Sequence, residues 1–206
     1  MGLCSPNLKR ELTDELLALN FHAYLQVIVQ LLCKMGYEDI ELSGRTGFVG
    51  RNQDGGIDAR CVRRSPGGGR RRVIIQAKQF DPVRQVFQRG IDELRGVVLR
   101  EGAAEGMLIS TGSFSPRISN ESSGSAAIAP VRLIDGSMLA DYLALYRVGV
   151  SKATVRRASE PGSYRIDREF FRQVGNRYSG IARPLKGEYS RTYVVITSAP
   201  RKRRAS

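Results

Sequence analysis

The sequence predicts an α/β domain, a mixed β-sheet flanked by helices, followed by a small basic C-terminal extension. Apolar residues recur at helical spacing in two long stretches, 20–37 and 83–98. Short runs rich in β-branched residues lie between and after them, at 57–62, 73–78, 107–111 and 131–134. The order is helix, three extended pieces, helix, strand, irregular segment, strand, helix. Tight hairpins join some neighbours and helical crossovers join others, which is the signature of a mixed sheet with helices on its faces.

Each element has a local reason. Residues 1–19 are read as a lead segment, 20–150 as the main domain and 151–206 as the basic extension. Over 20–37, Phe21, Tyr24, Leu25, Ile28, Leu31, Leu32 and Met35 fall in steps that keep them on one helical face, and Gly36 supplies a stop. A short extended piece, 38–42, leads into a loop at 43–56 rich in Gly, Arg and Asn. The strands at 57–62 and 73–78 are joined by SPGGG, so a hairpin is the economical pairing. Pro82 precedes a second helix marked by Val83, Phe87, Ile91, Leu94 and Val98. Residues 107–111 and 131–134 read as buried strands, and 137–146 as a helix with Ser137 as N-cap. In the extension, 164–178 reads as a helix with Phe170 and Phe171 on its core side, 191–197 as a last strand, and Arg201 onward as a disordered tail. So short an extension is expected to pack on the main domain.

Composition narrows the chemistry. Thirty-three basic against twenty acidic residues leave a net charge of +13, and most of the cations are arginines, whose planar fork suits phosphate. Such an excess favours a polyanionic partner, nucleic acid first. The single histidine, His22, excludes multi-histidine metal motifs, and the three scattered cysteines contain no CxxC. Reduced thiols, charges where a signal peptide needs an apolar core, and the lack of any apolar run near ~18 residues point to a cytoplasmic protein with no membrane partner. In a eukaryotic host, the RKRR run at 201–204 would instead suit a nuclear address.

One short stretch carries most of the functional signal. The run VIIQAK, 73–78, is apolar until it ends in Gln76 and Lys78, which alternation places on one face while Ala77 turns to the other. The plain explanation is a strand that surfaces at Gln76. In the other reading, the hairpin brings Asp58 beside both residues, so a carboxylate, an amide oxygen and an ammonium converge. Oxygen donors of this kind suit Mg²⁺, with Mn²⁺ expected to substitute. Such an ion lowers the pKa of water and offsets charge on a phosphodiester, while Lys78 stabilises developing negative charge. Arg70, Arg71 and Arg72, beside the connection, are candidate phosphate contacts together with Lys78. Thr111, Ser113 and Phe114 follow a strand end, where open sheets place ligands.

The chain resembles the Mrr-type restriction endonucleases of the PD-(D/E)xK nuclease superfamily. The resemblance is carried by LLCKMGYEDIELSG at 31–44, DGGIDA at 54–59, VIIQAKQF at 73–80, LISTGSFSP at 108–116 and LIDGSMLADYL at 133–143, all in family order. It implies a restriction-endonuclease-like mixed sheet between helices, divalent-metal-dependent cleavage of DNA of the type II or IV restriction kind, and a role in prokaryotic defence. Carried over by position, Asp58 is the metal-binding aspartate, Gln76 takes the place of the usual glutamate, Lys78 is the motif lysine and the Ala77 carbonyl is a further ligand. Glutamine removes one negative charge and lowers metal affinity unless another acid assists, for which Glu41 and Asp54 are the candidates. The family's early helical acid is replaced here by HAYLQ, with Gln26 or Gln30 as substitutes, and the 20 residues before Phe21 are too few for a DNA-reading domain. The expected partners are DNA and a second copy of the chain, with no small-molecule cofactor. The alternatives are a DNA-binding module that keeps the fold without the chemistry, and a nuclease acting on branched DNA.

Overall fold

The computed structural model describes residues 2–43, 56–83, 85–86, 88–115, 118, 129–152 and 164–179, with the backbone of 195–196. It opens on a helix not read from the sequence, α1, Pro6–Ala18. Ser5 caps it by accepting from Leu8 N–H, and proline opens its first turn, where the missing N–H costs nothing. Leu12 and Leu16, one turn apart, are its buried face. The next helix, α2, Phe21–Lys34, begins at Asn20, whose side chain accepts from Ala23 N–H at 2.9 Å. The chain leaves it at Gly36, whose φ of +88° only glycine adopts freely.

Strands β1 (Glu38–Leu42), β2 (Ala59–Arg64) and β3 (Arg70–Lys78) form an antiparallel meander. The expected strand at 57–62 is thus shifted toward the C-terminus, and the one at 73–78 begins three residues earlier, at Arg70. Both corrections follow from the hairpin register, in which Arg64 pairs with Arg70 right up to the SPGGG turn. The two residues β4 (Gln85–Val86) precede α3, Gln88–Arg100. The helix expected from 83 therefore starts later. Asp81 Oδ1 accepts from Val83 N–H, which makes a turn there, and Gln85–Val86 is used instead to pair with β6 (Ser113–Phe114). Strands β5 (Glu105–Ser110) and β7 (Val131–Ile134) extend the sheet in parallel with β3.

Helix α4, Gly136–Tyr146, is capped by Asp135, which accepts from Met138 N–H at 2.8 Å. Ser137, the expected cap, instead accepts a hydrogen bond from Lys9 Nζ. Strands β8 (Val150–Lys152) and β9 (Tyr164–Ile166) pair antiparallel, so the helix expected over 164–178 is only α5, Arg168–Tyr178. A last short strand, β10 (Val195–Ile196), joins β1 at the sheet edge. The expected loop between Ser43 and Gly56, the remainder of the strand at 191–197 and the tail from Arg201 lie outside the described residues.

The result is a six-stranded sheet in the order β10-β1-β2-β3-β5-β7. Alternation along β3 divides it. Val73, Ile75 and Ala77 face a large core built with α1, α2, α4 and α5, whereas Ile74 faces a second core under α3 with Leu108 and Val131. Gly106 lets α3 approach closely, because a Cβ there would meet Val98 at 2.9 Å and Leu94 at 3.2 Å. Phe171 and Val174 of α5 enter the first core, and Phe170 packs at its margin, so this part of the extension is built onto the domain. Among the described residues no helix is long and apolar enough to cross a membrane.

The N-terminal helix is tied to α4 by charge. Lys9 Nζ lies 2.8 Å from Asp141 Oδ2, and Asp141 Oδ1 accepts from Cys4 N–H at 2.9 Å. Burial alone would raise the Asp141 carboxyl, but the bonds from Lys9 and Cys4 and the charge of Lys9 outweigh it and hold it below its ordinary 3.8. A carboxyl so depressed contributes stability that is present above its ordinary value and is lost as pH falls through the lowered one. Asp141→Ala is expected to cost about 1–2 kcal/mol at neutral pH. Melting temperatures across pH 2–7 check this: the gap from wild type should narrow on acidification, and a constant gap would leave Asp141 with no ionic role.

Candidate active site

The end of β3 is where the polar residues meet. Asp58 stands one residue before β2, and its N–H donates to Ile75 O at 3.0 Å while its own carbonyl accepts from Ser43 N–H at 2.9 Å. Its N–H thus reaches β3 while its C=O faces β1, so the regular ladder ends at Ala59↔Ile75 and Asp58 turns out of it beside Ile75. Its carboxylate then accepts a hydrogen bond from Ala77 N–H at 2.7 Å. A side chain bonded to the main chain of Ala77 is held between Gln76 and Lys78, in the plane of the sheet. Since the Ile75 carbonyl points toward β2, alternation turns the Ala77 carbonyl to the same edge, beside Asp58.

Gln76 is only 5% exposed, and its Oε1 has no hydrogen-bond partner among the described residues. An acceptor left unmade in the interior costs about 1–3 kcal/mol. Its Nε2 rests against Gly56, where a Cβ would come within 2.5 Å. Gly56 also has a φ of +79°, so this glycine both turns the chain into Asp58 and leaves room for the amide. Lys78 is half-buried, and among the described residues its ammonium has no ion pair.

The chain beyond Lys78 is clamped. Gln79 Nε2 donates to the carbonyls of Leu16 and Leu19 at 2.8 and 2.7 Å, closing the end of α1. Thr111 Oγ1 accepts from Phe80 N–H at 2.7 Å and donates to Phe80 O at 2.6 Å, and Thr111 N–H donates to Lys78 O. Gly136 completes the clamp, since a Cβ there would strike the Thr111 carbonyl at 2.2 Å. Thr111 is therefore committed to holding β3, while Ser113 and Phe114 are half-buried in the small β4–β6 ladder.

Other candidates stand elsewhere. Glu41 is exposed on β1, paired in register with Arg60, and is not brought onto β3. Asp54 lies outside the described residues. Arg70, Arg71 and Arg72 lie toward the opposite end of β3, roughly 13–20 Å from Gln76 at ~3.3 Å per residue, rather than beside the carboxylate. There Arg70 pairs with Asp39, and Arg72 Nη2 donates to the Gly102 carbonyl. Gln26 is buried on α2 and Gln30 is exposed. Sequence reasoning missed the roles of Gly56, Gln79 and Thr111. It also took Tyr24 as plain core, although its hydroxyl is buried without a partner among the described residues.

Whether an ion suits this end can be judged from its donors. Asp58, Gln76 Oε1 and the Ala77 carbonyl are all hard oxygens, the set that Mg²⁺ takes alongside water. Among the described residues no three His, Cys, Asp or Glu side chains cluster to hold an ion, so a thiolate or imidazole site is not available there. The unpartnered amide oxygen is what a cation would satisfy, and the residues fit one.

Comparison with known proteins agrees with this architecture. A family model described as a restriction endonuclease, the Mrr catalytic type, matches residues 16–143. Among solved structures, the DNA modification-dependent restriction endonuclease AspBHI is 17% identical with a TM-score of 0.50, covering 68% of this chain and 36% of its own. The MspJI restriction endonuclease, in complex with a 27-mer oligonucleotide, is 24% identical with a TM-score of 0.34, covering 65% and 28%. The chain thus spans about a third of the length of these structures. No curated protein matches.

Gly56→Ala is expected to cost about 1–2 kcal/mol through its left-handed backbone and to displace the Gln76 amide as well. Gly68→Ala, at φ +83° with open space around it, is the control for the backbone cost alone. Side-chain amide NMR checks the difference: the Gln76 signal should move in the first variant only. An unmoved signal in both would remove Gly56 from the site.

Proposed function

The chain belongs to the Mrr-type family of restriction endonucleases, and on that premise we propose that it is a divalent-metal-dependent DNA endonuclease hydrolysing phosphodiester bonds at the Asp58–Gln76–Lys78 end of the sheet. The observation that carries the reading is the bond from Ala77 N–H to the Asp58 carboxylate, made at the strand end that holds a buried amide oxygen with no partner among the described residues. Asp58, Gln76 Oε1 and the Ala77 carbonyl would hold Mg²⁺, or Mn²⁺ in its place. When bound, such an ion supplies Lewis acidity toward a phosphoryl oxygen and a water of lowered pKa.

The chain's own groups do the rest. Ala77 N–H fixes the rotamer of Asp58, so the carboxylate meets its ligand without first having to be ordered. The Lys78 ammonium stabilises the charge that develops on the phosphate oxygens as water adds to phosphorus and one P–O bond breaks. Its main chain is held, because Thr111 bonds Lys78 and Phe80 and the next residue, Gln79, is bonded to the end of α1. Gln76 contributes a neutral oxygen where a carboxylate would contribute charge, which lowers affinity for the ion. Gln76 therefore also favours a second reading, a DNA-binding module that keeps the fold without cleaving. The three free thiols, Cys4, Cys33 and Cys61, suit action in a cytoplasm. A two-fold dimer is the simplest arrangement if both strands are cut.

Affinity for the backbone is assigned to the arginines of the β2–β3 hairpin. Arg63 stands directly opposite Arg71, and Arg64 opposite Arg70. Like charges so placed destabilise a sheet, and Glu105, Glu38 and Asp39 pair with Arg63, Arg64 and Arg70, which leaves Arg71 without an acidic partner among the described residues. A DNA backbone would offset that charge roughly 13–20 Å from the cut.

Supercoiled plasmid tests the chemistry. The wild-type chain should nick it with Mg²⁺ or Mn²⁺ and not in EDTA, and Asp58→Ala or Lys78→Ala should each lower the rate by about 10²-fold or more. Equal nicking by all three would locate the activity elsewhere, and tight binding with no nicking in either ion would establish the non-cleaving module. The hairpin has its own test. Arg71→Thr should weaken DNA binding, flatten the slope of log K against log salt by about one, and leave the melting temperature equal or higher. An unchanged slope would remove the hairpin from the DNA contact.

A further inference from the structure

Helix α2 contains a polar group that the account above leaves unused. Tyr24 is fully buried, and its hydroxyl has no hydrogen-bond partner among the described residues. Buried tyrosine hydroxyls ordinarily find one. Two observations locate it. Gln79 binds the carbonyls of Leu16 and Leu19, which pins the chain just ahead of α2 to the residue following Lys78. In addition, burial first and then the charge of Asp58 push the Tyr24 phenol well above its usual range, so the ring lies within reach of that carboxylate's field. The first turn of α2 thus overlies the end of the strand where Asp58 accepts from Ala77.

A second unpartnered oxygen, Gln76 Oε1, belongs to the same strand end. By alternation Gln76 faces the α3 side of the sheet, whereas Tyr24 belongs to the core on the α2 side. Packing alone would accept phenylalanine and an apolar side chain at these positions, so two polar groups without a partner among the described residues, at the end of the sheet that carries Asp58, point to a ligand that satisfies both. A hydrated divalent cation has the required properties: positive charge for the amide oxygen, and water able to exchange hydrogen bonds with a hydroxyl.

We propose that Tyr24 is a positioning residue of this site, whose hydroxyl gains its hydrogen-bond partner only when a divalent cation and its hydration water are held at Asp58. The inference rests on the reading that Asp58 and Gln76 hold a cation, and it deepens that reading by adding a group from α2. Loading the ion then fastens α2 to the end of β3, so metal binding and the packing of this helix are coupled.

The test uses the full chain and Mn²⁺ alone as probe, with binding followed by calorimetry and by thermal shift in wild type, Asp58→Asn and Tyr24→Phe. Wild type should bind Mn²⁺ and melt higher with it, and Asp58→Asn should lose both effects. Tyr24→Phe should melt in EDTA at or above the wild-type temperature and bind Mn²⁺ about 10-fold or more weakly. Wild-type Mn²⁺ affinity in Tyr24→Phe would overturn the inference while leaving the cation site standing. Failure of Tyr24→Phe to fold, or a lower melting temperature in EDTA, would also overturn it, because the hydroxyl would then have a structural partner. A wild-type chain with no response to Mn²⁺ would overturn the cation reading itself, and the role of Tyr24 with it.

Discussion

The hydrogen bond from Ala77 N–H to the Asp58 carboxylate is the constraint on which the site depends. It joins two strands at the point where their ladder ends, and it sets a charged group in the sheet plane rather than on either face. The carboxylate stands one residue before β2, where the regular ladder ends. Held by a main-chain donor of the central strand, it is as rigid as the sheet, and what lies beside it inherits that rigidity. The buried amide of Gln76 is then tolerable because the end of the sheet is polar by construction.

Everything around this bond serves to keep the end of β3 still. The parallel pairing with β5 continues to Lys78↔Ser110, one side chain of Gln79 closes two carbonyls at the end of α1, and Thr111 ties off Phe80 in both directions. Gly136 is the small residue that lets α4 start against the Thr111 carbonyl. Segments that look unrelated in the sequence therefore act on one strand end: α1, the turn after β5 and the start of α4.

Much of the architecture was legible because it is periodic or punctuated. The period of α2, the two runs of the β2–β3 hairpin and the glycine-rich turn between them read directly as structure, and the antiparallel pairing that leads Asp58 toward the end of β3 follows from them. Boundaries failed where a competing interaction decided. Ser137 looked like a cap, but Asp135 takes that role while Ser137 receives Lys9. The start of α3 moved because Gln85–Val86 pairs with a strand far along the chain. Helix α1 went unread although Leu8, Leu12 and Leu16 recur one turn apart, because charged residues stand between them and the stripe is only one residue wide. The clamps of Gln79 and Thr111 had no signature, since a hydrogen bond to a distant carbonyl leaves no spacing to find. Arg70–Arg72 were read by their nearness in sequence to Gln76 and Lys78, but a nine-residue strand carries them toward its opposite end.

That one strand end gathers a carboxylate, an unsatisfied amide oxygen and a main-chain carbonyl is the basis of the functional account, and diffraction tests it directly. Crystals grown with Mn²⁺ and measured at the manganese absorption edge should give an anomalous peak bonded to Asp58, with Gln76 Oε1 and the Ala77 carbonyl as neighbours. A peak elsewhere, or an ordered Asp58 and Gln76 with no peak between them at saturating Mn²⁺, would contradict it.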